Sequence, residues 1–193
     1  TERAVVEEEA RLGKNQPYGS VMEKVLERVF TTHPYRWSPI GKIEHLRRAT
    51  AEELLRFWET YYVPNNAVLV VVGDVDHEAV FAEAKHAFGW IPRCDDPPRV
   101  TIKEPLPGSP QTIELEETKG PVPIVAAAYR TVGQSHPDAM AIDLLMAILG
   151  GGESSRLYRK IVDEEEAAVI AAAGAFSLED DGVAAAGCAL MPF

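Results

Sequence analysis

Two carboxylates at the start of the chain have the spacing to act together. Glu2 and Glu9 are seven residues apart in Thr1-Glu2-Arg3-Ala4-Val5-Val6-Glu7-Glu8-Glu9-Ala10-Arg11-Leu12. On a helix that is two turns, so both return to nearly one face, roughly 10 Å apart along the axis. Val5 and Val6 lie between them, at the three- and four-residue offsets that share this face. Glu7 and Glu8 lie off it. A carboxylate held against apolar surface needs compensation, and a metal ion would supply it. The competing reading is a solvated acidic helix in which only the Val pair is buried. Runs of charge usually form solvated faces, so spacing alone favours that second reading.

No other stretch carries a chemical pattern. The five histidines, His33, His45, His77, His86 and His136, show neither HExxH nor HxxEH spacing. No Ser or Cys stands in a GxSxG elbow. Gly150-Gly151-Gly152 lacks the Gly-Lys-Ser/Thr ending of a phosphate loop and does not follow a strand, so it reads as a corner between helices. Cys94 and Cys188 are lone thiols that predict neither a zinc site nor a disulfide framework.

The elements that would position the acids follow from periodicity and caps. The first stretch has no Gly or Pro before Gly13 and predicts a helix. Ser20 with Glu23 predicts a capping box opening a second helix to about Thr31. His33-Pro34-Tyr35 ends it. Thr50 with Glu53 opens a third helix, with Leu54, Leu55, Phe57, Trp58, Tyr61 and Tyr62 as its stripe. The run Ala67 to Val72 predicts a strand covered on both faces. Asp76 caps a helix to about Phe88. Six prolines fall between Ile91 and Pro110, which marks a linker. Beyond it, strands are predicted at Gln111–Glu117 and Pro123–Arg130. A helix is capped by Ser135 and runs from His136 to Leu149, and another spans Glu153 to about Asp163. Strands at Ala167–Phe176 and Gly182–Met191 flank an acidic turn. Helices and strands are segregated, so the fold class is α+β, a two-layer mixed sheet with helices packed on one face.

The chain has 193 residues, 46% hydrophobic and 25% charged, with net charge −11 and pI near 4.9. That charge excludes an ordinary nucleic-acid binder. No run reaches the ~18 apolar residues of a membrane span. The chain opens in mid-helix without an N-cap, so it is expected to begin partway through a longer protein. Any targeting segment would lie upstream, and cytoplasmic and periplasmic compartments of a bacterial type both stay open.

Several stretches in order resemble the pitrilysin/insulinase/mitochondrial-processing-peptidase family of zinc metallopeptidases, the inverzincins. They are Glu2 to Glu9; His33-Pro34-Tyr35; Pro39-Ile40-Gly41; Phe57 to Ala67; Val70-Val71-Val72-Gly73-Asp74; Pro137-Asp138-Ala139; Leu149 to Gly152; and Ser154-Ser155-Arg156-Leu157-Tyr158. The resemblance implies homologous α+β domains with the metal site in the first. Residues 1–99 would be the second half of that domain. Residues 100–193 would be the first half of a second, inactive domain, joined through the linker at 91–110.

By the same resemblance, Glu9 falls on the third zinc ligand and Glu2 on a second acid near the site. The other ligands and the general base belong to a His-x-x-Glu-His helix that this sequence lacks. The chain alone is therefore expected to be catalytically inactive and zinc-free, with zinc in the intact parent, a metalloendopeptidase acting on peptides or proteins. The family's substrate-clamping Arg and Tyr, seven residues apart, align with Val162 and Val169, which cannot replace them. The alternative is a non-catalytic scaffold or partner subunit. Half-domains leave sheet edges open, which predicts homo-oligomers.

Overall fold

The computed structural model describes residues 2–116 and 119–192. They form two compact units, one of residues 1–41 with 102–193 and the other of residues 42–101.

The larger unit begins with α1 (Glu2–Asn15), which continues through Gly13 rather than stopping there. Tyr18, in the left-handed region at φ 59°, turns the chain into α2 (Val21–Val29). Ser20 precedes α2, but the expected capping box does not form. Ser20 is itself helical (φ −94°, ψ −10°) and its hydroxyl caps nothing. A capping side chain needs an extended residue at that position. Phe30 is fully buried, and a single 3-10 turn, Pro34–Arg36, follows His33.

The same unit resumes after the linker. The expected strand at Gln111–Glu117 does not form over 111–116, because no described segment pairs with it; Glu117 lies outside the described residues. The sheet has three strands in the order β1-β3-β2, with β1 Ile124–Val132, β2 Ala168–Ser177 and β3 Asp181–Leu190. Both ladders are antiparallel. The α+β reading holds. One break in register falls between Ala168 and Ile170, so Val169 sits at a bulge.

Between β1 and β2 come α6 (Ala139–Gly150; the three intervening helices, within residues 42–101, are described below) and α7 (Arg156–Tyr158), the latter widening into a π turn, Arg159–Glu164. The helix expected from His136 starts three residues later. The Asp138 N–H donates to His136 Nδ1 and the Ala139 N–H to the His136 carbonyl, so His136 and Pro137 close a turn ahead of the helix. Alanine fills the sheet at 126–128, 171–173 and 184–186. Side chains this short let α6 lie close to β2: a Cβ added to Gly150 would stand 2.0 Å from the Ala173 nitrogen. Gly150 to Gly152 is the predicted helix–helix corner, with Gly152 at φ 99°. Val183, Ala168, Ala171, Ala184, Met146 and Ala139 form the core.

The smaller unit contains α3 (Ile43–Arg48), α4 (Ala51–Tyr61) and α5 (His77–Phe88). Helix α3 has no patterned stripe and was not expected. The capping box of Thr50 with Glu53 forms in both directions, and Asp76 caps α5 through the Ala79 N–H. The strand expected at Ala67–Val72 does not form. A strand needs a ladder partner, and none of the described residues pairs with it. Val68 and Val72 are about nine-tenths exposed, at 89% and 90%.

Candidate functional site

Helix α1 carries both acids of the opening motif. Its inward side is Ala10, with Val6 half-buried; Glu2, Val5 and Glu9 are exposed. The i, i+4 row through Val6 and Ala10 therefore faces the protein, and the Glu9 side turns outward. Glu8 is held by Arg11, 2.7 Å away. That hydrogen bond keeps the Glu8 carboxyl below its usual range. The helix thus neutralises Glu8 locally, and Glu2 and Glu9 lie on its exposed side.

Zinc chemistry needs about three protein ligands and an open position. No group of three or more His, Cys, Asp or Glu side chains able to hold a metal exists among the described residues. Glu9 can offer one carboxylate from an exposed face, so the residues present do not by themselves fit the ion.

Val162 and Val169 stand on irregular backbone. Val162 lies in the π turn and Val169 at the bulge of β2. Val169 is 45% exposed, on a strand paired on one side only. Irregularities of both kinds re-aim side chains. Here they present two aliphatic groups that neither donate nor accept.

A polar cluster surrounds the His33-Pro34-Tyr35 turn. His33 is 1% exposed. Its Nδ1 accepts from the Tyr35 N–H at 3.2 Å, which puts the ring proton on Nε2. Nε2 lies 3.4 Å from Asp180 Oδ2, in the β2–β3 turn. The Tyr35 hydroxyl accepts from the Asp180 N–H at 3.3 Å. Glu104 accepts from three successive N–H groups, Thr31 at 2.6 Å, Thr32 at 2.9 Å and His33 at 2.7 Å, and from the Thr31 hydroxyl at 2.6 Å. Desolvation pushes the Glu104 carboxyl up, but these four donors outweigh it and bring it to about 2. Sequence reasoning singled out the histidine turn but missed Glu104. Nothing marks an acid inside a proline-rich linker as the partner of a loop some seventy residues earlier.

Residues 48–192 match the family described as Peptidase M16 inactive domain. The chain belongs to the peptidase M16 family. The chain is similar to "Zinc protease PqqE" of Helicobacter pylori, 32% identical over 185 residues, covering 94% of this chain and 42% of the relative. An uncharacterized zinc protease of Mycobacterium leprae is 31% identical over 166 residues, 83% of this chain and 36% of the relative. The crystal structure of a protease from Helicobacter pylori superposes with TM-score 0.90 at 31% identity, over 99% of this chain and 47% of that one. The chain therefore spans less than half the length of these relatives. The family agrees with the resemblance drawn from the motifs, and the segment matched, residues 48–192, is the one described as inactive. No helix among the described residues is long and apolar enough to cross a membrane.

Proposed function

We propose that this chain is a non-catalytic portion of a zinc metalloendopeptidase that acts on peptides or proteins. In that parent, Glu9 is the third zinc ligand and Glu2 a nearby orienting acid; the remaining ligands and the general base come from outside residues 1–193. Residues 1–99 complete the metal-site domain and residues 100–193 open an inactive one. The observation that carries the non-catalytic reading is the match of residues 48–192 to the M16 inactive domain; the division at residue 99 rests on the order of the motifs. The outward-facing Glu9 supports it, because an exposed carboxylate on a helix is free to meet ligands from another segment.

The test is the full-length parent with Glu9→Gln. Zinc by elemental analysis should fall from about one per chain to a small fraction of that, since loss of one of three protein ligands weakens the site strongly. Zinc that stays stoichiometric would rule out the ligand assignment.

A second reading, a scaffold or partner subunit, is favoured by Val162 and Val169. Sequencing upstream of Thr1 in the parent separates the two: a His-x-x-Glu-His helix supports the enzyme, and its absence the scaffold. We also propose self-association, because β1 and β2 each have one open edge and an open edge templates pairing. A strictly monomeric light-scattering profile at high concentration would oppose it.

A further inference from the structure

The His33-Pro34-Tyr35 turn lies outside the Glu2-to-Glu9 motif, yet it holds the most buried titratable side chain described. Two segments far apart in sequence converge on it. Glu104 ties the linker to Thr31, Thr32 and His33, and Asp180 ties the β2–β3 turn to His33 and Tyr35. Arg130 extends the linker contact, donating to the Pro105 carbonyl at 2.6 Å. At the other end of α2 the Tyr18 hydroxyl donates to the Val122 carbonyl and accepts from the Val122 N–H, clipping the chain just before β1. Helix α2 is therefore fastened at both ends to the C-terminal sheet. At the His33 end the two arms differ in strength. The Glu104 arm has four short bonds to one carboxylate. The Asp180 arm has contacts of 3.3 and 3.4 Å, near the limit of hydrogen bonding, and leaves the buried His33 Nε2 without a hydrogen bond. A buried donor so placed costs free energy until an acceptor closes on it.

We propose that this turn is a two-armed clasp that sets the position of α2 against the β1-β3-β2 sheet, in which the weaker Asp180 arm keeps the Glu104 arm closed. The functional part rests on the reading that residues 1–99 and 100–193 belong to two peptidase domains. On that reading the clasp spans them and fixes the spacing in which a peptide lies. His33, Tyr35 and Asp180 are positioning residues.

The experiment is hydrogen exchange by mass spectrometry on the full-length parent carrying Asp180→Ala, and separately Tyr35→Phe, which keeps the ring. Amides of Thr31 to His33, bonded to Glu104 and not to Asp180, should exchange at least about ten-fold faster in both variants, while those of 142–149 in α6 are unchanged. Acceleration confined to 178–181 would show independent contacts and overturn the clasp. Acceleration throughout α6 would reduce it to general core stability and also overturn it. With a quenched peptide substrate, KM should rise several-fold at unchanged kcat and zinc content; a fall in kcat at constant KM would refute the spacing role. A parent that cleaves no peptide removes the peptidase reading, and the exchange result still decides the clasp.

Discussion

Glu104 Oε1 lies 2.6 Å from both the nitrogen and the hydroxyl of Thr31, a residue 73 positions earlier in the chain. The carboxylate thus serves as the terminal acceptor for a backbone leaving α2 with its N–H groups turned one way. Charge-assisted bonds of this kind are about twice as strong as neutral ones.

Acid should expose this arrangement. The folded Glu104 carboxyl titrates at about 2, below its ordinary 4.5. A depressed folded value means its stabilisation is fully present above about pH 4.5 and is lost as pH falls toward 2. Melting temperature followed from pH 6 to pH 2 should decline through this window. Glu104→Gln should flatten that part of the curve and lower stability at neutral pH by about 2 kcal/mol. A pH profile identical to that of the unsubstituted chain would refute the assignment.

The two capping signals in the sequence should give opposite results. Thr50→Ala removes a hydroxyl that accepts from the Glu53 N–H at 3.2 Å, and should cost about 1 kcal/mol in α4. Ser20→Ala removes a hydroxyl that caps nothing and should be close to neutral. Denaturant midpoints of the two variants decide the matter, and equal losses would contradict the described caps.

Gly150→Ala puts a methyl 2.0 Å from the Ala173 nitrogen. Helix propensity favours alanine by about 1 kcal/mol. Overpacking against backbone opposes it by about 1–3 kcal/mol or more, because neither α6 nor β2 can withdraw alone. The expected outcome is net destabilisation in urea. A gain in stability would mean that the helix and strand stand further apart.

The sequence announced those elements whose signals are local. Thr50 with Glu53 and Asp76 with Ala79 lie within one turn of each other, so the caps of α4 and α5 were readable. Ser20 with Glu23 had the same letters and failed, because the left-handed Tyr18 places Ser20 already inside a helical turn. The run 67–72 had strand composition, but composition supplies no ladder partner. The candidate site was legible only as an ordered set of motifs. Spacing put Glu2 and Glu9 on one face, and both lie on α1 turned outward. No periodicity could have named Glu104, Tyr18 or Asp180, whose partners lie 73, 104 and 145 residues away.

Those separations have a consequence for synthesis. The larger unit is discontinuous: residues 42–101 are made between its two segments. The Tyr35 hydroxyl meets its donor, the Asp180 N–H, only when a residue 145 positions later has been made. At about 5–20 residues per second, that leaves the His33-Pro34-Tyr35 turn without its β2–β3 partner at the ribosome for roughly 7–29 seconds. The half-built chain is exposed to mispairing for longer than a helix or hairpin needs to form, so its yield in cells depends on what shelters it before β3 arrives.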